Sequence, residues 1–530
     1  MQPPCSLCLC GECLVTLIST TETREFTEIA QRVDYFCLFV AKRENLPDMI
    51  DDPADQHERL GRAVTSIIAE YFRTLDSKAV ASSATPQDLE RLFDESFPEQ
   101  GISAEAILDK YRSDVLAQAM NVPSPRYYGQ FNPTPLPIGV WADALASAMN
   151  QNAGAWRNGP TSALIEARVI RWLCELVGYP AASFGTLASG GTEANLIALK
   201  CARDHAHPTG TEGGLQSASA QLTFYASEQA HFSIERSLDI LGLGRASLRK
   251  IETDEGFHVR PDALRQRIDA DRKAGFIPCC VIGIAGATST GVVDPLPELA
   301  EIAKENHCWY HIDGAYGATM AFSETHRHKL RGLELADSIT FDPHKWMFVP
   351  FACGAVLVRE GGRVLRDAFD ITPEYLNEDR GGADVEYDFF RYGQLGTRRF
   401  NSLKLWMAMK FMGREGYAEV IDGQIELTEY LASRIDQMTD FENVGRVETA
   451  VCCFKYSPAW LAQMDVGEQD RVQQRLQQEI ERSGEAWITT TVLKGRRALR
   501  ANINSFLTER RHIDDLVELL ERQSPTLVDR

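Results

Sequence analysis

The sequence predicts an α/β protein with a mainly parallel sheet in a large domain, followed by a smaller α+β domain at the carboxyl end. From Phe184 onward, short β-rich runs alternate with helical patterns, which is typical of a parallel sheet covered by helices on both faces. Near Phe400 this rhythm changes to two long helical patterns and then to further β-rich runs. The length of 530 residues also favours several domains over one compact core.

The amino-terminal part is predicted to be a helical arm. Leu60, Val64, Ile68 and Phe72 recur at intervals of four residues and predict an amphipathic helix over 55–75. Further helices are expected between Pro86 and Pro98 and over 102–120. The expected domains are a poorly ordered leader (1–54), the arm (55–137), the large domain (138–399) and the small domain (400–530).

The elements of the two domains follow from periodicity and from the residues that end each run. Predicted helices cover 140–150, 161–177, 193–206 and 297–306 in the large domain, and 400–412 and 417–438 in the small one. Predicted strands cover 221–226, 279–284, 308–312, 338–341 and 352–358, and then 447–456, 487–492 and 499–503.

Charge and hydropathy exclude some classes of partner. The chain carries 75 acidic and 55 basic residues, a net charge of −20, which argues against nucleic acid or an anionic membrane surface as the main partner. No apolar run reaches the roughly 20 residues that a membrane span needs. The apolar runs 14–19 and 35–41 are too short for a convincing signal peptide. We therefore expect a cytoplasmic protein without nucleic-acid or membrane partners.

The cysteines do not indicate a disulfide framework in a chain of this size. Four of the thirteen lie close together near the amino terminus, at Cys5, Cys8, Cys10 and Cys13. Zinc uses such clusters, but loops of one or two residues leave little room for a tetrahedral site closed by a single short peptide. We favour a disordered or mis-started leader and expect no metal site.

Candidate functional residues occur where the predicted strands end, and ligands of open α/β sheets bind outside those carboxyl ends. A Ser-Gly-Gly-Thr run over 189–192 precedes the helix 193–206. Its backbone N–H groups and the helix dipole could hold a phosphate. A tight turn with a threonine cap is the simpler alternative for this run alone.

Two polar residues follow neighbouring predicted strands. His231 comes after the strand 221–226, where an imidazole could stack on a planar ring or bind a carboxylate, although a lone histidine is usually structural. Thr288 follows the strand 279–284, where its hydroxyl could bond a ring substituent. An ordinary polar turn is an equally good interpretation of Thr288.

Two further candidate residues at strand ends are a carboxylate, Asp313, and an amine, Lys345. Asp313 ends the run 307–312, and a buried carboxylate there needs a cation or a donor such as a protonated pyridine nitrogen. Ala315 is small enough for a flat ring to lie against the backbone. Lys345 follows the strand 338–341 after Pro343, where loss of solvent would suit an amine that forms a Schiff base. Together with the phosphate cradle and His231, these residues predict a site for pyridoxal 5'-phosphate.

At these motifs the sequence resembles the group II pyridoxal-phosphate decarboxylases, the family of aromatic-L-amino-acid and glutamate decarboxylases. The run Asp342-Pro343-His344-Lys345-Trp346 is similar to the family's Asn/Asp-Pro-His-Lys signature, and His311-Ile312-Asp313-Gly314-Ala315-Tyr316 to its pyridine-nitrogen motif. The resemblance covers about 55–521. It implies the aspartate-aminotransferase-like fold (fold type I) and a homodimer whose active sites are shared at the interface, with the helical arm at that interface.

The resemblance also implies a role for each matching residue. It makes Lys345 the Schiff-base lysine, Asp313 the pyridinium partner and His231 the stacking residue, with Ala315 on the opposite ring face. Other cofactor contacts implied by the family are Gly190, Gly191, Thr192, Thr288, Asp342 and His344. Tyr375 is similar to the loop tyrosine that protonates the substrate carbon in the family, which gives the catalytic set Lys345, Tyr375, His231 and Asp313.

The implied substrate contacts are Tyr128, Asn152, Gly154 and Thr288. Asn152 and Gly154 stand where aromatic decarboxylases place bulky apolar residues of the partner subunit, which weakens an aromatic assignment, and Arg157 could suit an acidic substrate. Tyr127 and Tyr128 are expected to be exposed. Asp342, where many relatives have asparagine, is expected to face backbone donors, and Arg398 and Arg399 have either a structural or a catalytic role.

The function predicted from the sequence is decarboxylation of an L-amino acid, with the aromatic type favoured, to the amine and CO2. The alternatives are an acidic or aliphatic substrate, decarboxylation coupled to aldehyde synthesis, and an inactive homologue that serves as a binding partner. The presence of Tyr375 favours plain decarboxylation, and the complete catalytic set argues against an inactive homologue.

Overall fold

The computed structural model describes residues 53–371 and 387–527. These residues form two compact units, one of 53–73 with 87–117 and the other of 74–86 with 118–371 and 387–527. The leader cysteines Cys5, Cys8, Cys10 and Cys13 and the loop tyrosine Tyr375 lie outside the described residues.

The smaller unit is helical. Its helices are α1 (Pro53–Arg73), α2 (Pro86–Phe93) and α3 (Ala104–Lys110). Helix α3 begins after Ser103, whose hydroxyl accepts a hydrogen bond from the Ala106 N–H at 3.2 Å and so caps the helix. A π-helical segment, Tyr111–Leu116, follows directly. The single helix predicted over 102–120 is therefore two shorter segments.

The larger unit contains a seven-stranded sheet in the order β1-β7-β6-β5-β4-β2-β3. Its strands are β1 (Phe184–Ala188), β2 (Leu222–Ser227), β3 (Leu248–Ile251), β4 (Ile277–Ile284), β5 (Trp309–Asp313), β6 (Ser338–Phe341) and β7 (Gly354–Val358). Neighbouring strands from β3 to β6 are parallel, whereas β7 is antiparallel to both β1 and β6. The mainly parallel sheet is confirmed; the strands β1 and β3 were not among the predicted ones.

Helices cover this sheet on both faces, as predicted. On β2, Phe224 and Ala226 belong to one apolar cluster with Ile197 of the helix Gly191–Ala206, whereas Tyr225 belongs to a second cluster with Ile170 of the helix Pro160–Leu176. Because successive side chains of a strand point to opposite faces, both faces of the sheet are buried. The helices are α4 (Pro137–Met149), α5 (Pro160–Leu176), α6 (Gly191–Ala206), α7 (Gly210–Gly213), α8 (Ser233–Ile240), α9 (Pro261–Lys273), α10 (Leu296–Glu305) and α11 (Gly361–Phe369).

The carboxyl-terminal part of the larger unit has its own antiparallel sheet, in the order β10-β11-β9-β8. Its strands are β8 (Phe441–Asn443), β9 (Val451–Tyr456), β10 (Thr489–Leu493) and β11 (Arg496–Asn502), and its helices are α12 (Ser402–Asp436), α13 (Val466–Ser483) and α14 (Arg510–Gln523). The two helices predicted over 400–412 and 417–438 are confirmed as the two parts of α12. They are separated by a kink at Gly413, which takes a φ of 60°, a left-handed conformation that glycine adopts readily.

The register of the large sheet brings three strand ends together. Asp313, the last residue of β5, is paired with Ile284 at the end of β4 and with Thr340 near the end of β6. Residues that follow these parallel strands therefore meet at one edge of the sheet. Among residues 53–371 and 387–527, every helix is too short or too polar to cross a membrane.

Glu448, which precedes β9, connects the small sheet to His258 in the loop after β3 and to Val293 in the loop after β4. The Nε2 atom of His258 lies 2.7 Å from Oε1 of Glu448, whose Oε2 accepts a hydrogen bond from the Val293 N–H at 2.9 Å. The Nδ1 atom of His258 lies 3.4 Å from Asp254. The hydrogen bond to Glu448, with the charges of both carboxylates, raises the pKa of His258 to about 9. The imidazolium is therefore present at neutral pH.

We expect this ion pair to stabilise the protein below pH 6.5 and the stabilisation to be lost as the pH rises through 9, because the folded-state pKa of about 9 is above the ordinary value. Relative to His258→Gln, the free-energy advantage of the wild type should shrink by about 1–2 kcal/mol between pH 6.5 and 9.5, a figure reduced for partial solvent screening. Urea midpoints at the two pH values measure this change. His328→Gln, at an exposed position, is the matched control, and a constant gap between wild type and His258→Gln would contradict the expectation.

Candidate active site

A cavity of about 580 Å³ lies at the edge of the large sheet where the strands end. Its volume is within the range of about 300–1,000 Å³ that is usual for small-molecule sites. The cavity is lined by every predicted cofactor contact: Gly190, Gly191, Thr192, His231, Thr288, Asp313, Ala315, Asp342, His344 and Lys345. Residues that are far apart in the sequence are therefore brought to one site.

Lys345 lies in a tight turn after β6. Its backbone N–H donates to the carbonyl of Asp342 at 2.9 Å, and its Nζ lies 3.1 Å from Oδ2 of Asp342. The same Oδ2 accepts a hydrogen bond from the Gly191 N–H at 2.9 Å. The expectation that Asp342 faces a backbone donor is confirmed, and the carboxylate also holds the lysine ammonium inside the cavity.

The glycine turn before α6 allows close packing. A Cβ atom on Gly190 would lie 2.9 Å from Cε1 of His344, and one on Gly191 would lie 2.8 Å from Oδ2 of Asp342, so neither position has room for a side chain. The run 189–192 was expected to offer its backbone N–H groups to a phosphate, and this expectation needs a correction. The Gly191 N–H already donates to Asp342, and the Ser189 N–H donates to Glu193 at 2.7 Å. These two carboxylates therefore occupy part of the positively charged amino terminus of α6.

His344 is oriented by the backbone. Its Nδ1 accepts a hydrogen bond from the Cys353 N–H at 3.0 Å, so the proton of the neutral ring resides on Nε2. Burial lowers the pKa of His344 and keeps the ring neutral at physiological pH. A neutral Nε2–H that faces the glycine turn can donate to an anion there.

His231 is held in one tautomer as well. Its Nδ1 lies 2.9 Å from the Ser233 hydroxyl and accepts the Ser233 N–H at 3.3 Å, so Nε2 carries the proton. Burial lowers the pKa of His231, and the imidazole is neutral at pH 7. A neutral, flat ring at the wall of the cavity is suited to stack on another ring.

The carboxylate of Asp313 is partnered at both oxygens. Oδ2 accepts from the side-chain amide of Asn195 at 3.0 Å, and Oδ1 accepts from the Ala315 N–H at 3.3 Å. These bonds hold the carboxylate against the cavity, where it can accept a proton-bearing ring nitrogen.

One wall of the cavity is aromatic and cationic and was not predicted from the sequence; Phe131, Tyr316 and Arg500 line it. Phe131 packs on Tyr316, which stacks on Trp346, with ring centroids 4.2 and 4.6 Å apart. Arg500 of β11 lies over the Phe131 ring at 4.9 Å, and Lys345 Nζ lies 5.9 Å from the same ring. The sequence does contain an indication of a functional Arg500, because a charged residue within the otherwise apolar run Ala498-Leu499-Arg500-Ala501 is unusual.

Arg500 is a buried guanidinium with spare donors. Its Nη1 donates to the Gly129 carbonyl at 2.9 Å and to Thr489 at 3.1 Å. Its Nε and Nη2 have no hydrogen-bond partner within the described part of the chain. Burial lowers the pKa of Arg500, although a guanidinium remains charged at physiological pH. The small domain thus contributes an unpaired cation to the cavity.

Three predicted substrate residues lie outside this cavity. Tyr128 is fully buried, and its hydroxyl donates to the His512 carbonyl at 3.0 Å. Tyr127 is also buried, so the expectation that both tyrosines are exposed is wrong; the apolar rings pack instead against the small domain. Asn152 accepts the N–H groups of Gly154 and Arg398 at 3.0 and 2.9 Å.

The arginine pair also has a defined environment. Arg398 forms a buried ion pair with Glu166 and donates to Thr186 at 2.8 Å, whereas Arg399 lies 3.3 Å from Asp143. Arg398 therefore joins the start of α12 to β1 and α5. These contacts fit the structural alternative for the pair.

The donor set and the shape of the cavity fit pyridoxal phosphate. A flat ring bound in the cavity would have the imidazole of His231 and the small Ala315 near it, the Asp313 carboxylate available for its nitrogen and Lys345 available for its aldehyde. Thr192 and the Nε2–H of His344 lie at the glycine turn, where a phosphate can be received. Gly190 and Gly191 leave open the space that side chains would fill.

The model of the pyridoxal-dependent decarboxylase conserved domain matches residues 86–457. An aromatic-L-amino-acid decarboxylase of Bacillus atrophaeus is 34% identical over 84% of this chain and 91% of its own length. A phenylacetaldehyde synthase of Petunia hybrida is 29% identical over 87% of this chain and 93% of its own. A crystal structure of Oryza sativa TDC with PLP and tryptamine has a TM-score of 0.84 at 26% identity, and covers 91% of this chain and 99% of that one.

The site geometry and these similarities agree on the cofactor and the type of reaction. The fold is that of the type I pyridoxal-phosphate enzymes, with a large, mainly parallel sheet and a smaller antiparallel one. The chain belongs to the pyridoxal-dependent decarboxylase family and is a pyridoxal-phosphate-dependent amino-acid decarboxylase.

Proposed function

We propose that the enzyme decarboxylates an aromatic L-amino acid to the corresponding amine. The observation that carries this proposal is the pair of aromatic rings of Phe131 and Tyr316 that line the cavity near Lys345, because an aromatic side chain is bound most favourably by aromatic and apolar surface. The names of the relatives from Bacillus atrophaeus and Oryza sativa support the same substrate class.

The proposed roles of the residues follow from their contacts. Lys345 would hold the cofactor covalently, and the nearby carboxylate of Asp342 would keep the lysine amine in place. Asp313 would hold a proton on the ring nitrogen, while His231 and Ala315 would lie against the two ring faces. When bound, pyridoxal phosphate supplies the electron-accepting ring that allows the α-carboxylate to leave as CO2.

The residues that would contact the phosphate and the ring hydroxyl of the cofactor are proposed on the same basis. Thr192 and the Nε2–H of His344 would contact the phosphate at the Gly190–Gly191 turn. Thr288, in the loop after β4, would lie near the ring hydroxyl and the substrate. Asp342 would act through Lys345 and Gly191 and stay turned away from the phosphate.

A second candidate substrate class is supported by Arg500. A buried guanidinium with two unpaired nitrogens would gain most from a carboxylate, and an acidic amino acid has one to offer in its side chain. The α-carboxylate of any amino acid could use the same donors, so Arg500 does not by itself require an acidic substrate.

A CO2-release screen across aromatic, acidic and aliphatic L-amino acids separates these candidates. We expect kcat/KM to be highest for an aromatic substrate, and Phe131→Ala to lower it by about 10–100-fold because burial of the substrate ring is lost. Phe411→Ala, at an exposed aromatic position on α12, is the matched control. A preference for aspartate or glutamate that disappears in Arg500→Gln would contradict the aromatic proposal and establish the second candidate.

Tyr375 is proposed to protonate the substrate carbon after CO2 leaves. We expect Tyr375→Phe to lower amine formation by at least about 100-fold, the usual contribution of general-acid catalysis. With O2 and water as co-reactants, the variant should instead release aldehyde, ammonia and hydrogen peroxide in step with CO2. Assays of all four products together with the amine measure this change, with Tyr387→Phe as the control. Unchanged amine yield in Tyr375→Phe would contradict this role.

We also propose a homodimer with shared active sites. On α4, Trp141, Leu145 and Met149 are 38%, 53% and 49% exposed and occur at four-residue intervals, so they form one apolar stripe on the surface of the chain. The family resemblance implies that the segment with Asn152 and Gly154, which follows this helix, lies beside the partner's cavity; Gly154 itself is buried against Gly396 of its own chain. A cytoplasmic location belongs to the same proposal and is supported by the acidic composition.

Sedimentation velocity tests the dimer. Leu145→Glu should convert the protein to a monomer at micromolar concentration and abolish most activity, because a buried charge in the interface costs several kcal/mol. Val466→Glu makes the same change at a similarly exposed position, on α13, and should remain dimeric. A dimeric Leu145→Glu variant with normal activity would rule out this face.

A further inference from the structure

Asn195 lies on α6, one turn after the glycine turn, and its side chain is buried. All four hydrogen-bonding positions of its carboxamide are used. Oδ1 accepts from the Thr340 hydroxyl at 2.6 Å and from Nε2 of His311 at 3.0 Å. Nδ2 donates to Oδ2 of Asp313 at 3.0 Å and to the Ser233 hydroxyl at 2.9 Å.

The two donor bonds lead to two different cavity residues. One ends directly on Asp313. The other ends on Ser233, whose oxygen accepts from Asn195 and whose proton is therefore available to Nδ1 of His231, 2.9 Å away. A single carboxamide thus contacts the carboxylate and, through one hydroxyl, the imidazole.

The orientation of the carboxamide is determined by its neighbours. A flipped amide would bring Oδ1 to about the same distance from the Asp313 carboxylate, so that two acceptors would face each other at hydrogen-bond distance. It would also turn Nδ2 toward His311. The carboxylate therefore selects the orientation in which Nδ2 donates to it.

The tautomer of His311 follows from this orientation. Trp309 Nε1 donates to the Ser338 hydroxyl at 2.8 Å, and Nδ1 of His311 lies 2.9 Å from that hydroxyl and 3.2 Å from the Ser338 carbonyl. Burial holds the pKa of His311 well below its ordinary value, so the ring is neutral. Because Asn195 presents Oδ1 to Nε2, the one ring proton is on Nε2, and Nδ1 accepts from the Ser338 hydroxyl. The chain from Trp309 to His231 then has every donor pointing in one direction, which strengthens each bond.

We infer that Asn195 is a positioning residue that sets the orientation of both the Asp313 carboxylate and the His231 imidazole. Residues that orient the groups in contact with a cofactor often affect activity almost as much as the contacting groups themselves. This inference rests on the proposed roles of Asp313 and His231. A purely structural Asn195 would instead contribute to the stability of the fold and leave cofactor binding unchanged.

Asn195→Asp is the test variant, because it is nearly isosteric and keeps Oδ1 for Thr340 and His311. It replaces the two donors by an acceptor that faces Asp313. We expect the Kd for pyridoxal phosphate, measured by fluorescence titration of the apoenzyme, to rise by about 10–100-fold and kcat to fall by a similar factor. The thermal midpoint of the apoenzyme is measured in parallel.

Thr223→Val is the matched control, since it removes a buried hydroxyl that bonds Tyr225 at 2.7 Å in the same sheet, away from the cavity. It should lower the thermal midpoint and leave the Kd and kcat within about threefold of wild type. Ser233→Ala cuts only the link to His231 and should lower kcat by about threefold to tenfold with a smaller change in Kd. If Asn195→Asp is insoluble, Ser233→Ala decides the inference for the His231 link.

Wild-type Kd and kcat in both Asn195→Asp and Ser233→Ala, whatever their thermal midpoints, would overturn the inference. Asp313→Asn and His231→Gln separate this failure from a failure of the proposed roles. If these two variants impair cofactor binding or kcat and the Asn195 variant does not, only the positioning role is wrong. If Asp313→Asn and His231→Gln are also normal, the proposed roles themselves are wrong.

Discussion

A charged carboxylate at the end of a buried strand requires donors, and the site depends on how Asp342 obtains them. The Asp342 side chain is 1% exposed, and its Oδ2 is bonded by the Gly191 N–H and lies beside the ammonium of Lys345. Because an unpaired buried charge is very costly, the backbone donor Gly191 must stay in place whenever the fold is intact. One oxygen therefore joins the start of α6, the end of β6 and the lysine.

The same requirement explains why glycines surround this carboxylate. A Cβ atom on Gly354 would lie 2.7 Å from Oδ1 of Asp342 and 2.5 Å from the Cα of Gly190, and one on Gly191 would meet Oδ2. The strand, the helix start and the carboxylate are in contact without intervening side chains. This part of the cavity wall is formed by backbone atoms. Because backbone atoms have no alternative rotamers, the shape of the cavity is well defined here.

The small domain completes the site. Arg500 on β11 adds a cation, and Phe131, in the segment that precedes α4, separates that cation from Lys345. Glu448, which precedes β9, accepts from the Val293 N–H and so connects the small sheet to the loop that carries Thr288. The cavity is thus lined by residues of both sheets: Arg500 comes from the small sheet, whereas Asp313 and Lys345 come from the strand ends of the large one.

The residues at the strand ends could be predicted from sequence, because a single local pattern, a β-rich run followed by a polar residue, identifies Asp313, His231 and Lys345. The parallel sheet then brings such ends together, and the motifs around Asp313 and Lys345 carried the family resemblance. Only the tertiary structure decided which residues face the cavity from elsewhere. Tyr128 and Phe131 are close in sequence, yet only Phe131 lines the cavity, and Asn195 looks like an ordinary helix residue. Side-chain direction and the partners of buried polar groups depend on contacts between distant segments, which no local pattern contains.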